Sequence, residues 1–457
     1  MACADRRTLQ RWAIAVIVVA AAARVGWAAW IAHAEPSAVY NPDTPGYIWP
    51  ARALIDGGRF SFSPTDPTPM YLRTPGYPAF LAAILWPTGS AWAISPIQAT
   101  VSLLGVAVIV LVAWRLLGPT AALVAGAVVA LDPLQFAASG ALLTESVASV
   151  VLVAIVAVGV VVFASRRPRD VPLAVLLALG ALVAVATLVR PAFWFYPLVL
   201  LVLLAVRFRR LPWRSVVARL LVFLLPVAVG VGGWQLRNHV AVDSWQVSGA
   251  SGLAMHCWYA ADVEAQVSGI SVDDARRQLG CPQFDANPDG VCTPTVGCQV
   301  PDPDAKGQGF DAWGRQGLDI LADHPVQAAR TMVEGAVREV GGPGDAFVSR
   351  YLDTDESWPL TAALFSWNAA LWVFAAGGAL VGLRSKHRGF WVFVIATIGY
   401  VMVASAGVGA DARYRIPVIP LLVLLAALGV QRSLRSLRRS RAQASGDHGE
   451  HLVAVGD

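Results

Sequence analysis

Ten apolar runs, at residues 12–33, 95–117, 119–136, 143–165, 172–189, 192–207, 219–236, 358–383, 390–408 and 415–432, set the terms for this chain. Each is close to the ~17 to 25 residues that an α-helix needs to cross a bilayer. In hydrocarbon the backbone has no water to bond, so such runs are expected to satisfy their N–H and C=O groups internally, as helices. Across the 457 residues, 56% are hydrophobic and only 14% charged, with mean hydropathy +0.57, far from the balance of a soluble domain. The expectation is an all-α polytopic membrane protein with about 10 transmembrane helices. The first run, Trp12 to Ala32, is too long for a signal-peptide core and no small-residue cleavage pattern follows it, so it is read as a retained span.

The formal charge of +5 does not call for nucleic acid, because the arginines stand in short clusters between apolar runs and near the C-terminus. One further run, Tyr77 to Trp86, is short and bracketed by Pro75, Pro78 and Pro87. Leaving it out of the span count puts every basic cluster on one side: Arg6, Arg7 and Arg11; Arg115; Arg166, Arg167 and Arg169; Arg207, Arg209, Arg210 and Arg214; Arg384, Lys386 and Arg388; and Arg432, Arg435, Arg438, Arg439 and Arg441. Residues 77–86 are therefore expected as a membrane-edge helix on the outer side, and both termini as cytoplasmic.

This bookkeeping divides the chain into an N-terminal transmembrane module, 1–236, with a first outer loop at 34–94; an extracytoplasmic loop, 237–357; C-terminal transmembrane helices, 358–432; and a basic cytoplasmic tail, 433–457. The expected location is the cell (inner) membrane. The long loop holds Cys257, Cys281, Cys292 and Cys298, four of the five cysteines. An even number outside the cytoplasm suggests two disulfides, in any of three pairings. No CxxC or HxxxH spacing supports zinc instead.

Ionisable residues at span ends gather on the outer face: Asp43, Arg73, Glu145, Arg190, Arg237, Asp411, Arg413 and Arg415. A transporter is expected to hold such groups near the midplane, on broken helices of two related halves. Arg24, well inside the first span, is the exception; it pairs with an acid in the bundle or snorkels outward. A ring of arginines with one or two acids suits an anionic ligand that lies in the membrane and presents its headgroup outside. The planar guanidinium fork grips phosphate, and an acid beside it acts as base toward that headgroup.

Six stretches, "PDTPGYIWPARALIDGGRFS" (42–61), "RTPGYPAFLAAI" (73–84), "LLTESVAS" (142–149), "LVRPAFWFYP" (188–197), "WQLRN" (234–238) and "RYRIPVIPLL" (413–422), occur in this order along the spans. Together they resemble the GT-C fold glycosyltransferases that use polyprenyl-phosphate-linked sugars, the bacterial relatives of protein O-mannosyltransferases and of the lipid A aminoarabinose transferase. The loop at 239–357 has no counterpart in the resemblance.

The resemblance implies a catalytic base in the first outer loop, here Asp43. Members often carry a second acid beside it, where this chain has Thr44; Asp43 then works alone or with Glu145. A basic residue before the Pro-rich entry to the edge helix contacts the carrier phosphate in related transferases, and Arg73 stands there. Arg190, Arg237, Arg413 and Arg415 resemble further outer-face positions. Each has a plainer reading. Asp in Pro/Gly-rich sequence commonly bonds its own turn, and arginines at span ends anchor to headgroups. Glu145 suits the first turn of a helix capped by Thr144. Arg413 and Arg415, two apart, can both face one side in an extended or turn segment but diverge in a helix, so one of them is favoured over both. Tyr47 lies one turn from Asp43 if Pro45 starts a helix, where it shapes an acceptor pocket or packs in the core.

The expected activity is transfer of a hexosyl or pentosyl group from a polyprenyl-phosphate donor to an acceptor hydroxyl at the extracytoplasmic face, with inversion. The acceptor is a protein, a lipid or a glycan. The alternative is a lipid or sugar transporter without chemistry. No Gly-rich nucleotide loop is evident, His33, His239 and His256 are scattered, and neither a cofactor nor a metal is called for.

Overall fold

The computed structural model describes residues 3–65, 67–281, 307–407, 409 and 411–433. Among these residues the secondary structure is helical, with one isolated bridge between Ser61 and Pro69. Helix α1 (Cys3–Ala34) leads through a single turn, α2 (Pro36–Val39), into two short helices, α3 (Pro45–Gly57) and α4 (Gly76–Thr88). Then come α5 (Ile94–Leu117), α6 (Pro119–Leu131), α7 (Pro133–Gly140), α8 (Thr144–Phe163), α9 (Leu173–Val189), α10 (Tyr196–Phe208) and α11 (Trp213–Val227), which continues through a π-turn into α12 (Gly233–Val242). The long segment that follows carries α13 (Ala250–Ala254), α14 (Ala261–Ser268), α15 (Val272–Gln278), α16 (Gly307–Asp323), α17 (Pro325–Gly341) and α18 (Asp345–Leu352). The chain returns through α19 (Trp358–Leu383), α20 (Arg388–Ser405) and a last helix, α21 (Ala412–Ser433), whose first turns are 3-10.

Among the described residues eight helices are long and apolar enough to cross a membrane, or nine if the bent pair α6 and α7 is counted as one span. The tenth apolar run is α9, a helix of 17 residues. α4, with 13 residues, rises only ~20 Å, short of the ~30 Å hydrocarbon layer. This is a multi-pass membrane protein.

The run at 119–136 is not one helix: α6 and α7 meet at 58°. Pro133 has no N–H to offer Val129, four residues back, and ends the first piece. The freed carbonyls are met by Arg24, which is 1% exposed and donates from Nη2 to Val129 O at 3.3 Å and Ala130 O at 2.9 Å, and from Nη1 to Ser102 Oγ at 3.3 Å. Arg24 thus neither snorkels nor forms an ion pair with an acid. A helix break at membrane depth is tolerated because a side chain re-satisfies the backbone.

The two long inter-span segments lie at the same end of the bundle. Met70, Tyr71 and Leu72 share a small core with Leu253, Cys257, Cys281 and Phe310. Ser248 Oγ donates to Leu72 O at 2.6 Å, and Tyr71 Oη bonds Asp311 Oδ1 at 2.8 Å. Cys257 and Cys281 are joined in a disulfide inside this core. Cys292 and Cys298 lie outside the described residues, within the undescribed stretch 282–306, as does the tail beyond Ser433.

Candidate active site

Asp43 sits in the turn between α2 and α3. That turn is laced to the strand-like stretch before α8: Leu142 N donates to Val39 O at 2.9 Å, and the buried Thr44 hydroxyl donates to Leu142 O at 3.1 Å. Thr44 is therefore an anchor for the loop. The same contacts bring the turn to the start of α8, where Glu145 stands in the first turn and the helix dipole favours a negative charge. The expected Thr144 cap is not made; its hydroxyl donates to Glu145 Oε2 at 3.3 Å.

Arg73 precedes α4, and Arg190 follows α9. The two are adjacent because α4 starts against the end of α9: a Cβ on Gly76 would meet Leu188 O at 2.6 Å, so only glycine permits the approach. Arg413 comes from the 3-10 start of α21, which Gln135 pins by donating to Ile416 O at 2.5 Å.

These five side chains pair in two groups, bridged by the Tyr414 ring. Arg73 Nη2 donates to Asp43 Oδ1 at 2.6 Å, and Arg413 Nη2 lies 3.5 Å from Asp43 Oδ2. Arg190 Nη1 lies 3.1 Å from Glu145 Oε1, an ion pair by distance whose angles fall short of a hydrogen bond. Arg73 also crosses the Tyr47 ring at 4.8 Å and donates to its hydroxyl at 3.3 Å. Three guanidiniums face two carboxylates, so the cluster carries a surplus positive charge.

Burial alone would raise the Asp43 carboxyl, but Arg73 and Arg413 outweigh it and hold it at about 2. Burial also pushes the Tyr47 phenol up to about 12, against the pull of Arg73, so it remains a neutral acceptor. Side-chain exposure separates the two acids: Asp43 is 33% exposed and Glu145 4%. Only Asp43 is open to an incoming molecule.

Tyr414 was not singled out in the sequence, yet its ring lies between two arginines, 5.0 Å from Arg190 and 5.1 Å from Arg413. Its place between Arg413 and Arg415 was the available signal. Arg237 and Arg415 are not brought into the cluster. Arg237 donates to Met70 O at 2.7 Å and Phe60 O at 2.8 Å, and stacks on Trp234. Arg415 is 2% exposed and donates to Glu339 O at 2.8 Å and Gly342 O at 2.7 Å. Arg413 and Arg415 do point apart, as helical spacing requires. Among the described residues no three His, Cys, Asp or Glu side chains group as metal ligands.

No protein-family model and no curated protein sequence matches this chain. Solved structures do. The Archaeoglobus fulgidus oligosaccharyltransferase AglB, in complex with an inhibitory peptide and a dolichol-phosphate, superposes with a TM-score of 0.53 at 13% identity, over 95% of this chain and 52% of that one. The apo form of the Archaeoglobus fulgidus oligosaccharyltransferase gives 0.52 at 13% identity, again over 95% and 52%. The fold is GT-C. ArnT from Cupriavidus metallidurans bound to undecaprenyl phosphate superposes more loosely, with a TM-score of 0.37 at 16% identity over 92% of this chain and 78% of that one, too loosely to bear on the site. This GT-C chain spans about half the length of the oligosaccharyltransferase chains it matches.

Proposed function

We propose that this protein is a membrane glycosyltransferase that moves a sugar from a polyprenyl-phosphate donor to an acceptor hydroxyl at the extracytoplasmic face, with inversion at the anomeric carbon. The observation that carries the reading is a half-open carboxylate, Asp43, held between Arg73 and Arg413 at one end of the bundle with positive charge to spare.

At rest the acid is too well paired to be a good base. A donor phosphate competes for the same guanidiniums, and Arg73 has a buried Nε with no hydrogen-bond partner to offer it. Once the phosphate draws Arg73 and Arg413 away, the carboxyl loses the two charges that hold its affinity for protons down. The acceptor oxygen then attacks the anomeric carbon from the side opposite the phosphate, and its proton passes to a carboxylate oxygen of Asp43. The anomeric C–O bond breaks, and its electron pair leaves on the phosphate. General-base help of this kind is typically worth ~10² to 10⁴ in rate, and the transition state has oxocarbenium character, as in glycoside hydrolysis.

Arg73, Arg413 and Arg190 stabilise the phosphate as it gains charge, a preorganised electrostatic role. Glu145, buried and paired, orients Arg190 rather than taking the proton. Tyr47 lines the acceptor side. Arg237 and Arg415 are assigned to the scaffold, since their donors are spent on carbonyls. The lipid tail of the donor accounts for an acid placed where the chain leaves the membrane: the reacting carbon is confined to that plane.

The test is transfer of label from a radiolabelled polyprenyl-phosphate sugar in membranes carrying the full chain with native envelope extract. Arg73→Ala is expected to abolish transfer at donor concentrations that saturate wild type; unchanged transfer would remove Arg73 from the donor site.

A further inference from the structure

Helix α17, in the long inter-span segment, is divided along its length into three faces. One is turned into the protein: Thr331, Gly335 and Glu339, four residues apart, are buried. A Cβ on Gly335 would run into the backbone of Gly407, so the helix lies directly on the chain leading into α21. A second face is charged. Arg330, Glu334 and Arg338 are exposed, and Arg330 Nε lies 2.7 Å from Glu334 Oε1. The third face is apolar and open. Val326, Val333, Val337 and Val340 follow one another at seven, four and three residues, which sets them on one stripe of the helix. All four are exposed, Val326 by 75%, Val333 by 62% and Val337 by 65%. An open apolar stripe rimmed by charge marks a surface that meets a partner or a membrane.

The place of α17 against the spans decides which. Asn368 of α19 donates to Val340 O at 2.7 Å, and Arg415 of α21 donates to Glu339 O and Gly342 O, so the last turns of α17 are fixed to two spans. At ~1.5 Å of rise per residue, Asn368 stands ~22 Å along α19 from Leu383, the end at which Arg384, Lys386 and Arg388 gather. From the same end, α20 rises ~26 Å to Ser405, just before Gly407. A hydrocarbon layer ~30 Å thick reaches beyond both levels. The last turns of α17 therefore lie at membrane depth, ~8 Å or less inside the boundary at the site's end of the bundle. At that same level α19 exposes Phe365 and Trp367, either side of Asn368. Amphipathic helices that lie in a membrane interface bury their apolar face to ~5 to 10 Å.

We propose that α17 is seated in the bilayer leaflet at the site's end of the bundle, with its valine stripe among the acyl chains and its charged face turned to the headgroups. The partner of this surface is the lipid itself. Val340, bonded at the level of Asn368, lies deeper than Gly335, which meets the chain beyond the end of α20, so the helix dips toward its C-terminus. The long inter-span segment is then anchored in the membrane as well as joined to the spans at its ends. Arg415, which clasps the end of α17, stands two residues after Arg413. The seat of α17 thereby fixes the height of the α21 start, and with it one arginine of the cluster, relative to the membrane surface. This inference stands whether or not the cluster binds a donor.

The experiment places one spin label at a time on α17, through Val333→Cys, Val337→Cys or Glu334→Cys, in the full chain in lipid nanodiscs. Cys3, Cys292 and Cys298 are replaced by Ser, and the Cys257–Cys281 disulfide is kept. The three labelled positions are exposed, so no packed side chain is displaced. Collisions with molecular oxygen, which concentrates in hydrocarbon, are compared with collisions with a water-soluble nickel chelate. Labels at 333 and 337 are expected to meet oxygen in preference to the chelate, more so at 337, and the label at 334 to meet the chelate. Preference for the chelate at 333 and 337 equal to that at 334 would put the stripe in water and overturn the proposal. Shielding of 333 and 337 from both reagents would overturn it as well, and would mean that protein covers the stripe, either a second copy of the chain or residues 282–306.

Discussion

The Asp43 carboxylate and the Arg73 guanidinium, thirty residues apart in sequence, meet at 2.6 Å. The contact joins the turn before α3 to the entry of α4, and it decides the ionisation of the one exposed acid in the cluster. Removing Arg73 leaves burial opposed mainly by Arg413, so Asp43 in Arg73→Ala titrates at higher pH than in wild type. The sign follows for stability. A carboxyl lowered from 3.8 to about 2 by folding stabilises the fold at any pH above ~4, and that contribution is lost as pH falls toward about 2. Thermal unfolding in detergent between pH 5 and pH 2.5 is expected to show this acid loss in wild type and to show less of it in Arg73→Ala.

Arginines that look alike in sequence part company in the fold. Arg73→Lys keeps the charge but not the planar fork, and is expected to raise the donor KM at least tenfold. Arg237→Ala breaks two bonds to carbonyls of the first inter-span segment; Phe60 O keeps its bond from Met70 N, so the expected loss of thermal stability is about 1 to 3 kcal/mol for Met70 O, with a smaller effect on donor KM. Parallel KM and melting measurements on the two variants check the assignment. Equal rises in donor KM would put Arg237 back in the donor site.

Much of this was legible in the sequence. The long apolar runs located the spans, and the prolines around 75–87 marked α4 as an edge helix. The grouping of ionisable residues at span ends, together with the resemblance, pointed to Asp43 and Arg73, and the two side chains do meet. Side-chain direction was not legible. Arg237 stands in a stretch that resembles the family, yet its partners are carbonyls 167 and 177 residues back in the chain, and no local pattern encodes such contacts. The bend at Pro133 was signalled by the proline itself, but that Arg24 answers it depends on how α1 packs against α6. Glu339 lay in a segment without any matched motif, where an amphipathic helix gives no sign that one of its acids is sealed in.

Arg24→Ala removes the donors for Val129 O and Ala130 O. Each carbonyl left without a partner costs roughly 1 to 3 kcal/mol, and the loss of the buried aliphatic stem adds to it. The expected outcome is a clear drop in apparent melting temperature, with Arg24→Lys intermediate because one ammonium reaches fewer acceptors in fixed geometry. Wild-type stability in Arg24→Ala would mean that α6 and α7 satisfy the break by themselves.

The disulfide between Cys257 and Cys281 closes a loop across a sequence separation of 24. Chain entropy assigns such a loop roughly 3 to 4 kcal/mol. Cys257→Ser is expected to loosen the small core with Met70, Tyr71 and Leu72, seen as faster proteolysis within residues 250–281 under native conditions. A cleavage pattern identical to wild type would show that packing alone holds the segment.

The central claim is that Asp43 is the base, and the most direct measurement is sugar transfer by Asp43→Asn beside its binding of the donor. Membranes of each variant receive a radiolabelled polyprenyl-phosphate sugar and envelope extract, and label leaving the lipid pool is followed while donor binding is measured on the same preparation. The account predicts that Asp43→Asn binds donor and transfers sugar ~10² to 10⁴ times more slowly. Transfer at the wild-type rate would contradict it and would return the role of base to Glu145 or leave the cluster without chemistry.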